Sequence, residues 1–168
     1  MTAAVVRFLG FGFAIVAFAT SAFAAGKTLS VMEKAELPVP PAKTWEMIKD
    51  FDGWQNWHPA IGSTDIPKGK GNAKGTVRVL TTKDGAKITE ELLVHSDKSM
   101  SYQYRITNSP LPVTNYVSTI KVVKSKGGST VVWSSSFKAK EGTSDDEAKK
   151  VISGIYTAGL DNLKRLLK

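Results

Sequence analysis

His58 is one of two histidines in this 168-residue chain, and its neighbours make it the first candidate for chemistry. It stands beside Trp54, Trp57 and Pro59, where an imidazole can donate or accept a hydrogen bond and where burial can move its pKa. Three roles fit it: a cap on a short helix packed against Trp57 and Pro59, a ligand contact, or general acid/base work. His95 adjoins a turn and is expected to be exposed. A proton-transfer role for His58 would need a second group, and Glu90 is the candidate. In a regular strand Glu90 and Glu91 point to opposite faces, with Ile88, Leu92 and Val94 on the side of Glu90. An inward carboxylate needs a donor, because an unpaired buried charge is costly. Tyr102, Tyr104, Arg105, Tyr116 or Trp133 could supply one; alternatively Glu90 lies at the sheet rim and pairs with a lysine.

Other chemistry is poorly supported. The chain has no cysteine, hence no thiol nucleophile and no thiolate metal ligand. No glycine-flanked serine elbow is present, and two histidines on separate elements make no zinc set, so neither metal nor cofactor is expected. Asn56 and Asn162 add no catalytic arrangement. Gly69, Gly71 and Gly75 lack the spacing of a phosphate-binding loop, and no helix opening on Lys-Ser or Lys-Thr follows them. Binding is therefore favoured over catalysis. Tyr102, Tyr104, Tyr116 and Trp133 fall on one face of their strands, and such rings offer an apolar body with a polar edge. They either line a pocket for an aromatic, isoprenoid or acyl molecule or fill a core. Ser118 and Ser135 share that inner parity, where a packed core would more naturally use leucine or valine.

The elements that position these residues are readable from period and punctuation. Leu29 to Leu37 is a strand ended by Pro38, Pro40 and Pro41. Ala42 to Asp50 is a short helix with Trp45, Ile48 and Ala42 inward, and the aromatic segment from Phe51 to Pro59 is a second short helix or tight turn. Ile61 to Gly75 is a polar loop with room for a short edge strand near Ser63 to Ile66. From Thr76 the period is two: strands Thr76–Thr82, Lys87–His95, Ser99–Thr107, Val113–Lys124 and Ser129–Ala139, with Asp84-Gly85 and Gly127-Gly128 as hairpin turns. Ser144 and Glu147 have the spacing of a capping box before a long helix. Asp145, Asp146 and Glu147 at its start, and Lys164, Arg165 and Lys168 near its end, suit the helix dipole. Val151, Ile152, Ile155, Leu160, Leu163, Leu166 and Leu167 form its apolar stripe. Gly154, Ala158 and Gly159 interrupt the stripe, either for close packing on a sheet or to thin the helix beside a cavity. The pattern predicts an α+β domain: a curved antiparallel sheet of about six or seven strands wrapped around the C-terminal helix, with two short helices after the first strand.

The chain opens with Arg7, an apolar run from Phe8 to Phe18, and Ala22 and Ala24 at the small positions of a cleavage site. This reads as a signal peptide over residues 1–24, leaving a single domain over 25–168 in the periplasm. The run is too short for a comfortable span, so no stable membrane insertion is expected after cleavage, an uncleaved anchor being the alternative. Lysine and arginine number 23 against 15 acidic residues, a formal +8, and loss of Arg7 with the leader gives +7. Such a charge suits an acidic protein partner in the periplasm or simply a soluble exterior. Nucleic acid is not expected, because the basic residues form no cluster interleaved with aromatics. A monomer or weak dimer is expected.

Several segments resemble one known family. Pro41-Ala42-Lys43-Thr44-Trp45 before Phe51, then Trp57-His58-Pro59 and Gly75-Thr76-Val77-Arg78, are similar to the polyketide cyclase/dehydratase-like branch of the START and birch-pollen-allergen-like superfamily. Ile88-Thr89-Glu90-Glu91-Leu92, Tyr102 to Ile106, Leu111-Pro112-Val113, Val132-Trp133-Ser134 and Tyr156 to Leu163 extend the resemblance over the mature chain. The exported form is also similar to MxaD-like periplasmic proteins associated with methanol oxidation in methylotrophs. The resemblance implies a helix-grip fold with a cavity beneath the last helix. Trp54, Trp57, His58, Glu90, Tyr102, Tyr104, Tyr116, Ser118, Trp133, Ser135, Ile155 and Gly159 would then surround a small hydrophobic ligand. An accessory role toward a periplasmic oxidoreductase and a cyclase or dehydratase activity using His58 and Glu90 are the alternatives.

Overall fold

The computed structural model describes residues 27–168; the leader expected over residues 1–24 lies outside them. Strand β1 (Leu29–Leu37) is followed by helix α1 (Pro41–Ile48) and a 3-10 turn (Trp54–Asn56). Six strands follow: β2 (Ile61–Lys68), β3 (Val77–Thr82), β4 (Lys87–Ser96), β5 (Ser101–Asn108), β6 (Val113–Ser125) and β7 (Gly128–Ala139). Helix α2 (Asp145–Leu166) ends the chain. All neighbours in the sheet are antiparallel, in the order β1-β7-β6-β5-β4-β3-β2. The concave face curls around α2, which packs on β1 and β7. This is the expected α+β, helix-grip arrangement. Among the described residues no helix is long and apolar enough to cross a membrane.

Helix α2 forms for the reasons its sequence suggests. The Ser144 hydroxyl accepts from the Glu147 backbone N–H at 3.2 Å, one of the two bonds a capping box allows. The buried stripe is Ala148, Ile152, Tyr156, Gly159, Leu160 and Leu163, with Leu167 just beyond. It differs from the expected stripe in several places. Val151 and Ile155 are half-buried and Leu166 is exposed, while Tyr156 takes an inner position that apolar counting alone would not assign. The small residues also separate. Gly154 and Ala158 face outward, so neither thins the helix beside a cavity. Gly159 faces the sheet, and a Cβ there would lie 2.7 Å from His58 Cδ2, 3.0 Å from Trp133 and 3.1 Å from Trp57. Close packing is therefore its role.

Three further local expectations are corrected. The segment after Ile61 is not mainly loop: β2 is an eight-residue edge strand, broken by irregular register on both sides of Asp65 and carrying Pro67 where an edge tolerates it. Ala42 is exposed, and Thr44 instead turns inward to hydrogen-bond the Ser129 hydroxyl at 2.7 Å. On β4 a bulge at Leu93 moves the register from Leu92 opposite Tyr104 to Val94 opposite Gln103. One extra residue inverts the alternation beyond it. Val94 is consequently on the outer face and 54% exposed, whereas His95 turns inward. His95 stacks on Tyr102 at 6.1 Å, and its Nε2 is hydrogen-bonded to the Lys49 carbonyl at 3.0 Å, tying β4 to the end of α1.

The two glycines of α2 should respond oppositely to alanine. Gly159→Ala overpacks against three rings and is expected to destabilise by roughly 1–3 kcal/mol. Gly154→Ala meets open space and should stabilise by up to about 1 kcal/mol through helix propensity. Urea denaturation of the two variants checks both signs.

Candidate functional site

The interior is organised from the β3–β4 hairpin upward. Its three-residue loop, Lys83 to Gly85, sets a register that puts Arg78 opposite Glu90, and both side chains point inward with Leu80 and Leu92. Arg78 is fully buried and Glu90 is 3% exposed. Arg78 Nε donates to Glu90 Oε2 at 2.7 Å, and Nη2 makes an ion contact to the same oxygen at 2.6 Å. Nη1 donates to the Phe51 carbonyl at 2.7 Å. The guanidinium carbon lies 4.0 Å from the centre of the Phe51 ring and 3.9 Å from that of Trp54, so the cation is held between two π faces. Burial pushes the Glu90 carboxyl above its usual range while the Arg78 charge opposes that shift. The donor to Glu90 is thus Arg78. None of the five candidates from the sequence fills that role, and Glu90 is not a rim residue. Arg105 instead pairs with Glu91 on the opposite face at 2.7 Å.

A second polar network runs under α2. Trp54 Nε1 donates to the Tyr102 hydroxyl at 2.9 Å. Trp133 Nε1 reaches the Tyr104 hydroxyl at 3.1 Å and Ser118 Oγ at 3.0 Å. Ser118 donates to the Ser134 carbonyl at 2.9 Å and lies 3.1 Å from the Tyr156 hydroxyl, which also bonds the Tyr116 hydroxyl. Tyr156 stacks on Trp133 at 4.1 Å. The small Ser118 on the inner face therefore serves the polar tips of two rings, Trp133 and Tyr156. Burial raises the Tyr102 and Tyr156 phenols to about 12 and those of Tyr104 and Tyr116 well above the ordinary value. All four are protonated at neutral pH and act as hydrogen-bonding groups.

Between this network and the Arg78–Glu90 pair lies a cavity of about 40 Å³. That is room for a few waters and far below the several hundred Å³ of ordinary small-molecule sites. Trp54, His58, Glu90, Tyr104, Tyr116, Trp133 and Ile155 of the expected set line it. Trp57, Tyr102, Ser118, Ser135 and Gly159 are buried around it without lining it. Arg78, Tyr156 and Leu111 belong to the site and were not singled out from sequence. Counting outward from a two-residue Asp84-Gly85 turn would have paired Arg78 with Glu91; the loop is three residues, Lys83 to Gly85, and that shift is what brings Arg78 opposite Glu90. Among the described residues no group of three or more His, Cys, Asp or Glu is arranged to hold a metal ion.

His58 is buried on the cavity wall, and both of its ring nitrogens are engaged. Nδ1 accepts from the Ala60 N–H at 3.3 Å, so Nε2 carries the proton and donates to the Ile155 carbonyl of α2 at 3.0 Å. In a helix that carbonyl also accepts from the N–H of Gly159, four residues on. The missing side chain at Gly159 is what admits the imidazole, as its Cδ2 contact shows. Burial lowers the His58 pKa below 6.5, and the positive charge of Arg78 acts in the same direction. The ring is neutral and its hydrogen bonds tie the 3-10 turn to α2. No free imidazole nitrogen is left beside Glu90 for proton transfer.

Two outcomes follow from this chemistry. Arg78→Met strands a buried carboxylate and should cost roughly 3–5 kcal/mol, most of it recovered in Arg78→Met/Glu90→Leu. The loss in the single variant should shrink on acidification, because protonation of Glu90 removes the uncompensated charge; urea denaturation at two pH values reads both effects. His58 has a folded pKa below its unfolded value, so its stabilising contribution is present above about pH 6.5 and is lost as pH falls toward the folded value. An NMR titration of the ring should give a pKa below 6.5, and His58→Gln should flatten that part of the stability profile.

Comparison with known proteins agrees with this architecture. The chain is 37% identical to XoxI from Bacillus cereus, with 82% of this chain and 94% of that one covered and a TM-score of 0.76. It is 34% identical to an uncharacterised protein from Bacillus thuringiensis, over 84% of this chain and 98% of that one, with a TM-score of 0.74. A protein from Thermobifida fusca matches at 25% identity over 83% and 92% of the two chains, with a TM-score of 0.72. The family described as polyketide cyclase / dehydrase and lipid transport matches residues 28–168, and the chain belongs to that family.

Proposed function

We propose that this protein is a periplasmic accessory factor that binds an acidic partner, an oxidoreductase of methanol oxidation, and does not itself catalyse a reaction. The observation that carries this reading is the filled interior. The cavity of about 40 Å³ has no preformed room for an aromatic, isoprenoid or acyl molecule. The side chains that would do acid/base work are occupied: His58 by Ala60 and Ile155, and Glu90 by Arg78. The likeness to XoxI over most of both chains supports an MxaD-like role, and the formal +7 left after removal of Arg7 suits an acidic partner.

A second reading, binding of a small hydrophobic molecule, draws on the cavity mouth. His58, Ile61, Ile88, Leu111 and Ile155 are shared between the cavity and an outer depression of about 270 Å³ bordered by Pro110 and Pro112.

The readings part experimentally. The purified methanol-oxidising dehydrogenase of the host should be retained by the immobilised protein at low ionic strength and more weakly at about 150 mM salt. Absence of retention at both salt concentrations would remove the accessory role. Native mass spectrometry of protein purified from its host should give the bare polypeptide mass; a stoichiometric apolar adduct would instead establish the second reading.

A further inference from the structure

We infer that the convex face of the sheet is the docking surface and that it takes an acidic protein through an uncharged centre rimmed by lysines. The inference rests on the accessory reading and adds the surface that would perform it. Strand register lines up Met32, Ser134, Thr119, Gln103 and Val94 in one row across β1, β7, β6, β5 and β4. Their side chains point outward, because Trp133 and Ser135, Ser118 and Ile120, and Tyr102 and Tyr104 are the buried residues on either side of the three central positions. Gln103 donates to Thr119 at 3.2 Å within the row. At about 4.8 Å per strand the row is roughly 19 Å long, and it carries no charge.

The two ends of that row are unusual. The large hydrophobic side chains exposed among the described residues are Met32 at 58%, Val94 at 54% and Leu166 at 46%. Two of the three cap this one row, and the Leu93 bulge is what turns Val94 outward to do so. The next row is Lys34, Val132, Lys121 and Ser101. Lys34 and Lys121 are exposed, flank Val132, and take part in no ion pair among the described residues. On the other side of the row Arg105 is already matched by Glu91. Glu36 is the remaining acid on this part of the face, and Lys138 on β7 adds a further cation. An uncharged centre with exposed apolar ends matches the depletion of charge at the centre of a protein interface, and the lysines beside it supply a polar rim. A second copy is the poorer occupant. A two-fold contact through this face would bring lysines against lysines in a chain already carrying a formal +7 after loss of Arg7.

The test is an NMR titration of the ¹⁵N-labelled protein with the host's purified methanol-oxidising dehydrogenase, alongside Lys34→Glu/Lys121→Glu and Thr119→Glu, all surface changes. Amide signals of Met32, Lys34, Thr119, Lys121 and Ser134 should be lost first, and the variants should bind at least about tenfold more weakly. Binding with unchanged affinity in both variants, or signal loss centred on Leu111 and Ile155, would overturn the convex surface while leaving the accessory role standing. No binding by the unaltered protein would remove both. Concentration-dependent broadening of the same amides without dehydrogenase would assign the face to a second copy and overturn the acidic partner.

Discussion

A guanidinium without access to water is the constraint around which this fold is arranged. Arg78 cannot be left unpaired in an apolar interior, so β4 must present Glu90 directly opposite, and the chain after α1 must bring the Phe51 carbonyl to Nη1. Phe51 and Trp54 then close on the two faces of the cation. One side chain thus fixes the hairpin, the end of the first helix and the 3-10 turn relative to one another. The desolvation cost of such a pair offsets much of its attraction, so it contributes specificity of arrangement more than net stability.

The aromatic interior follows the same logic. Four tyrosines and two tryptophans bring polar edges into a space that a leucine core would fill without them. Each hydroxyl or indole N–H in the Tyr102, Tyr104, Tyr116, Tyr156, Trp54 and Trp133 group finds a partner within the group or on Ser118. Such rings resemble the lining of a ligand site when seen as a sequence. Once they satisfy one another, little is left for a guest, and the residual cavity is solvent-sized. On the convex side the same strands present serine, threonine and glutamine.

Much of the architecture was legible in the sequence because it depends on period and turn chemistry. The hairpins at Asp84-Gly85 and Gly127-Gly128, the cap at Ser144 and the proline stop after Leu37 are local signals, and they specify the element order. The site was less legible because facing depends on register. Assigning Val94 and His95 failed at one extra residue, Leu93, for which the sequence carries no distinct mark. The need of Glu90 for a donor is legible, but the candidates Tyr102, Tyr104, Arg105, Tyr116 and Trp133 all follow β4, whereas the donor, Arg78, lies on the strand before it. The role of Gly159 depends on where His58 lies, a long-range fact that helix periodicity does not contain.

The final helix is tied to segments synthesised long before it. His58 to Ile155 spans 97 residues, Asn162 to Trp57 spans 105, and Ser153 to Glu33 spans 120. Long-separation contacts are costly in loop entropy and form slowly. A nascent or truncated polypeptide lacking α2 therefore has its indoles uncovered, and the closing step of assembly is the arrival of the C-terminal segment. The last two dozen residues thus complete contacts that earlier elements leave open.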